Sequence, residues 1–258
     1  MKQISKHLLA ASIATVFSAG AMAADTATVT LNVKLTPGAC VVSIGNGDAT
    51  FEYGTQSASA LGKALSKKTK TFTVDCNGAD TPIALSMNDT NFENGDKVGT
   101  DIPLADLGIT SILGSIAPAY FYNMTTLVDA KPVNVGIWGA QLDNIKYGAK
   151  TKALKTAHPI RLAIEGSDNV GLPTIPIADI ASLTGTKEYL TPGGSKIHLA
   201  DPLSVLNLYK AIGSYYTGEI NVQPAIASLD KLIAAGVKTE EEVDITGVAT
   251  FTVNYGSW

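Results

Sequence analysis

The chain has 258 residues, 45% of them apolar and 16% charged, with 24 Gly, 11 Pro and two Cys, a composition that excludes a disordered or low-complexity protein. Its formal charge of −4 argues against a nucleic-acid partner, which needs a basic face to neutralise phosphates. The basic cluster Lys63, Lys67, Lys68 and Lys70 reads as a solvated loop.

Met1 to Ala23 has Lys2 and Lys6 at its start, an apolar stretch from Leu8 to Phe17 and the small-residue finish Ala21-Met22-Ala23, the arrangement of a secretory signal peptide. Ser12, Thr15, Ser18 and Gly20 interrupt the apolar run, which argues against a membrane anchor. Removal after Ala23 leaves 17 basic and 23 acidic residues, net −6. Residues 24–258 are expected to form one domain carrying a large insertion around 99–236. In an oxidising compartment Cys40 and Cys76 are expected to pair, because the chain has no other cysteine and neither sits at a metal-ligand spacing.

Taken in order, Val29, Leu31, Val33 and Leu35 recur at a period of two, the mark of a half-buried strand that Pro37 and Gly38 end. Short β-like runs follow at 50–53, 70–76 and 83–87, separated by turn signals at Gly45-Asn46-Gly47-Asp48 and Asn77-Gly78-Ala79-Asp80. Further strands are predicted at 119–124, 133–138, 160–165, 196–199 and 215–222. Helical spacing predicts short helices over 202–212 and 224–235, the second ending at Gly236. In the last segment Val243, Ile245, Gly247, Ala249, Phe251, Val253 and Tyr255 share one face. The fold class expected is all-β, a sandwich with short helical insertions.

No enzyme is expected and no cofactor is implied. His158 and His198 sit in strand contexts, and the chain has no nucleophile elbow, zinc-protease helix, phosphate loop or dinucleotide fingerprint. Glu240-Glu241-Glu242 reads as a solvated turn, and Asp89, Glu93, Asp96 and Asp101 lack the spacing of a calcium loop. A hydrolase reading has only plentiful Ser and Asp behind it.

The two ends are more specific. V-T-L-N-V-K-L-T-P-G-A-C at Val29 to Cys40, the pair Tyr53-Gly54, the alternating strand that closes on Cys76, and A-T-F-T-V-N-Y at Ala249 to Tyr255 resemble subunits of chaperone-usher fimbriae. Among these the chain is similar to fimbrial-like exported proteins grouped under a domain of unknown function. The resemblance covers about residues 24–90 and 243–255, and the middle lies outside it.

It implies an immunoglobulin-like, pilin-type sandwich short of one strand, polymerising by donor-strand exchange and supporting surface adhesion. Val29, Leu31, Val33 and Leu35 would form the donor strand. Ala249, Phe251, Val253 and Tyr255 would form the acceptor groove and the chaperone-pairing strand. The implied partners are a periplasmic pilus chaperone, an outer-membrane usher, further copies or related subunits, and a host or surface glycan, with export to the cell surface. Val33 stands where donor strands carry Gly, Val243 replaces a family Gly, and Gly256, Ser257 and Trp258 follow the terminal Tyr. The alternative is a self-complemented secreted domain that binds carbohydrate or a surface, its leading strand folded back on itself and Tyr120, Tyr122, Trp138, Tyr215 and Tyr216 offered to sugars.

Overall fold

The computed structural model describes residues 25–35, 40–90, 104–107, 109–115, 117–162, 174–176, 180–183, 185–201, 207–238 and 243–256. The expected signal peptide, Glu240 to Glu242, and Glu93, Asp96 and Asp101 lie outside the described residues.

The described chain is built of strands. Six come first: β1 (Asp25–Leu35), β2 (Val41–Ile44), β3 (Thr50–Gln56), β4 (Lys63–Ala64), β5 (Lys68–Asp75) and β6 (Thr81–Asp89). A long hairpin follows, β7 (Phe121–Val128) with β8 (Lys131–Gly148). Short strands come next: β9 (Lys155–Thr156), β10 (His158–Leu162), β11 (Thr174–Pro176), β12 (Ile180–Leu183), β13 (Glu188–Leu190), β14 (Ile197–Asp201), β15 (Asn207–Lys210) and β16 (Ile212–Gly213). Two long strands, β17 (Tyr215–Ile226) and β18 (Asp244–Tyr255), flank α1 (Leu229–Ala234), the one α-helix among the described residues.

These strands join into one hydrogen-bonded sheet with two runs. One passes β3–β1–β18–β6–β14–β10–β12, and the other β7–β8–β17–β5–β2. A single pairing, Thr246 with Thr125, links β18 to β7 and so links the runs. The Phe72 ring on β5 meets the Phe251 ring on β18 with centroids 5.9 Å apart, although the two strands are not hydrogen-bonded neighbours. The sheet therefore curls over a shared core, because each run has one apolar face to bury. The segment 99–236 supplies β7, β8 and β17, and β17 runs beside β5 from Tyr215↔Asp75 to Val222↔Lys68.

The β7–β8 hairpin turns on Asp129 and Ala130, both at positive φ (50° and 61°), between the paired residues Val128 and Lys131. Two consecutive left-handed residues match the twist of a two-residue hairpin. Asp-Ala is not the usual signature for that turn, so the sequence predicts two separate short strands where the chain forms one continuous hairpin.

Two helix expectations need correction. Asn207–Lys210 is a strand, not a helix: Ala200↔Lys210 and Asp201↔Tyr209 pair it to β14, and Thr174↔Tyr209 pairs it to β11. Two ladders outweigh a weak 3.6-residue period. Residues 202–206 of that segment lie outside the description. Pro224–Ile226 stays in β17, where Pro224, with no N–H to offer, accepts from Leu65 N at 2.8 Å through its carbonyl. The helix begins only at Leu229 and ends before Gly236, whose φ of +83° a side chain would oppose.

Candidate functional site

The leading strand is the candidate site. Strand β1 lies between two neighbours and uses both of its hydrogen-bonding edges. On one side Asp25↔Gln56, Val29↔Phe51 and Thr30↔Thr50 pair it antiparallel to β3. On the other it runs parallel to β18 through ten pairs, from Thr26↔Asp244 to Leu35↔Val253. This is the only parallel pairing among the described strands.

The alternation read from the sequence is realised on both strands. Ala27, Val29 and Leu31 are buried at 0–3% exposure, while Asn32 faces solvent. Val33 and Leu35 pair with Phe251 and Val253 through their backbones, and their side chains lie outside the described atoms. On β18, Ile245, Ala249, Phe251 and Val253 are buried, and Tyr255 is half-buried. Burial raises the Tyr255 phenol above its ordinary range, and its hydroxyl has no hydrogen-bond partner among the described residues. Asn254 donates to Ser86 Oγ at 3.4 Å and holds this end of β18 to β6.

The floor beneath this ladder is aromatic. Trp138 and Tyr122 stack with centroids 4.4 Å apart, and Trp138 Nε1 donates to the Asn123 carbonyl at 3.2 Å. That indole occupies the space a side chain at 247 would need, which is why Gly247 interrupts an otherwise apolar face. Leu31 N adds one further bond to Ala49 O at 3.3 Å.

β3 forms the second wall, and sequence reasoning did not assign it to the site. Phe51 and Tyr53 are buried, and the Tyr53 hydroxyl donates to Val222 O at 2.9 Å. Burial pushes the Tyr53 phenol well above its usual range. The alternation of Phe51 and Tyr53 was the signal available. Two lysines of the predicted solvated cluster are engaged here. Lys68 donates to the Glu52 carbonyl and lies over the Tyr53 ring, and Lys70 bridges Asp48 at 2.7 Å and lies over Phe51. The Lys70 hydrogen bond holds the Asp48 carboxyl below its ordinary value.

Cys40 and Cys76 form the disulfide expected from their number and compartment. Cys40 immediately precedes β2 and Cys76 immediately follows β5, so the bond clamps the start of β2 to the end of β5, beside the pair Val41↔Asp75. In the chain-entropy account, closing a separation of 36 residues stabilises the fold by about 4 kcal/mol.

The remaining sequence candidates take other places. Tyr122, Trp138 and Tyr216 are fully buried core residues, so they offer no face to a sugar. Tyr120 stacks on Tyr189 at 4.8 Å, and Tyr215 lies under Lys150. His198 is buried on β14, pairing with Ile160, and His158 pairs with Ala200. Asp89 is buried and accepts Asn123 N–H at 2.9 Å. No group of three metal-ligating side chains occurs among the described residues. What the site is built to do is hold an extended strand by two ladders and a row of apolar contacts. Compared with known proteins, the chain matches no family model and no curated sequence.

Proposed function

We propose that this chain is an exported structural subunit of a chaperone-usher fimbria, an immunoglobulin-like sandwich that polymerises by passing β1 to the groove of another copy. The observation that supports the reading is the parallel sense in which the leading strand is held between β3 and β18, a weaker ladder than an antiparallel strand would make there. Such a strand leaves without threading the chain, because it precedes the Cys40–Cys76 bond.

The tether explains the direction. Leu35 and Cys40 are joined by a link that reaches at most about 18 Å when extended. β1 is 11 residues long, about 36 Å at strand rise. Reversing it against its own β18 would move Leu35 nine residues along that strand, about 30 Å, a shift that the short link to Cys40 opposes. The chain's own strand is therefore held in the parallel sense, which is slightly the weaker per residue. A strand from another copy carries no such tether and can enter antiparallel. Burying Val29 and Leu31 contributes about 1.5–3 kcal/mol each in either groove, so exchange keeps the apolar gain and improves the ladder.

In this account a periplasmic chaperone holds the groove while β1 is free, and an outer-membrane usher orders the exchange. Coexpression with a periplasmic pilus chaperone tests this: a one-to-one complex is expected, and a chain that ignores the chaperone overturns it. One observation favours a second reading, a self-complemented secreted monomer: β1 already fills its own groove. In that case the purified chain stays monomeric when mixed with copies lacking residues 24–35.

A further inference from the structure

Strand β3 carries an edge that the ladder to β1 leaves free. Leu31 N donates to Ala49 O at 3.3 Å, so Ala49 and Phe51 turn their backbone groups to β1, while Asp48, Thr50 and Glu52 turn theirs away. Among the described residues no strand pairs with that outer edge. β5 is open nearby: β17 runs along it from Lys68 to Asp75, whereas β2 covers only Phe72 to Asp75 on the other edge. The gap between β3 and β5, about 410 Å³, is closed by side chains.

Lys68 and Lys70 share a face of β5 with Phe72 and Val74, which are fully buried, so both start from the inward side of the sheet. Lys68 donates to the Glu52 carbonyl, Lys70 donates to the Asp48 carbonyl at 2.7 Å, and Thr50 N–H donates to Asp48 Oδ1 at 3.0 Å. Successive polar groups of the outer edge are thus taken by side chains. The Lys70 side chain is laid down at 22% exposure, and the absence of a side chain at Gly45 makes room for it, since a Cβ there would fall 2.7 Å from Lys70 Cδ.

We infer that Lys68 and Lys70 hold a latent strand-pairing edge shut, and that β3 of a second copy occupies this edge once they are neutralised. The segment Thr50-Phe51-Glu52-Tyr53-Gly54-Thr55-Gln56 is rich in strand formers and has no Pro, the kind of edge that templates another strand unless inward charges block it. An ammonium has donors and no acceptor, so it satisfies a carbonyl and offers nothing to an incoming N–H. A pairing strand must displace both ammonium groups, break the Lys70–Asp48 pair and lift the lysines from the Tyr53 and Phe51 rings. β1 is engaged on both of its edges, which leaves β3 as the strand with an edge to offer. Two such edges meet antiparallel across a two-fold axis. That meeting brings the lysines of both copies to one seam, where like charges oppose it.

The inference does not rest on the fimbrial reading. Sedimentation velocity on the mature chain over a concentration series, with hydrogen exchange on the associated fraction, tests it. Lys68→Thr with Lys70→Thr is expected to self-associate at a concentration about tenfold below that of the unaltered chain, and to gain protection at the Glu52 amide. Lys68→Arg with Lys70→Arg keeps charge and donors and is expected to match the unaltered chain. Lys68→Thr alone leaves the Lys70–Asp48 pair in place and is expected to shift association in the same direction, so it keeps the test decisive if the double Thr variant fails to fold. Unchanged association in the Thr variants, association without new protection at Glu52, or an equal gain in the Arg variant overturns the inference.

Discussion

Trp138 lies over Gly247 so closely that a Cβ at 247 would fall 2.5 Å from the indole Nε1. The indole cannot retreat without giving up its bond to Asn123 O and its stack on Tyr122. Gly247→Ala is therefore expected to destabilise the fold by about 1–3 kcal/mol, the usual cost of overpacking. Urea unfolding followed by tryptophan fluorescence measures it, and an unchanged midpoint would remove the indole from the floor of the groove.

Val29 is buried between Phe51 on β3 and Gly247 on β18, the residues with which it pairs. Val29→Asp places an unpaired carboxylate there, at a cost of several kcal/mol that releasing β1 relieves. Hydrogen exchange should then show amides of 26–35 losing protection together with those of 50–56, because β1 is the one strand that pairs with β3 among the described residues. Retained protection in β3 would mean that its side-chain contacts alone hold it.

Replacing Cys40 and Cys76 together by Ser is expected to cost about 2–5 kcal/mol and to loosen the start of β2 against the end of β5. Thermal unfolding with and without reductant gives the first effect. Limited proteolysis near residue 40 gives the second, faster in the variant than in the oxidised chain.

Two exposed ion pairs contribute to the acid limb of stability. Hydrogen bonds from Lys70 and Lys150 hold the Asp48 and Asp75 carboxyls below the ordinary 3.8. Their contribution is present above that value and is lost as pH falls through the lowered folded pKa. Lys150 is raised in turn by Asp75, so the pair's contribution also fades at the alkaline end, as pH rises through the raised ammonium value. Asp48→Asn with Asp75→Asn is expected to flatten the stability profile below about pH 4 and to change it little at pH 7, since both pairs are solvent-exposed. A steep loss at pH 7 in the double variant would contradict this.

Much of the site was legible because strand alternation is a local signal. Val29, Leu31, Ala249, Phe251 and Val253 stand on the faces their spacing predicts. The disulfide followed from compartment and number alone. What the sequence could not show was pairing. Nothing in the period of β1 says that it lies parallel to β18, because alternation marks a buried face and not a partner or its direction. The strand at 207–210 was hidden for the same reason: its partners, Ala200 and Thr174 among them, are remote in sequence. Asp201 carries no motif in the sequence, and only the fold brings the Tyr147 hydroxyl and Lys155 to it.

Handing over β1 can be watched directly by mixing the isotope-labelled mature chain with a copy lacking residues 24–35 and following complexes by native mass spectrometry. The account predicts a growing one-to-one complex in which the labelled chain's residues 26–35 protect β18 of the truncated copy. Two populations that never combine, each labelled chain keeping its own strand, would contradict it.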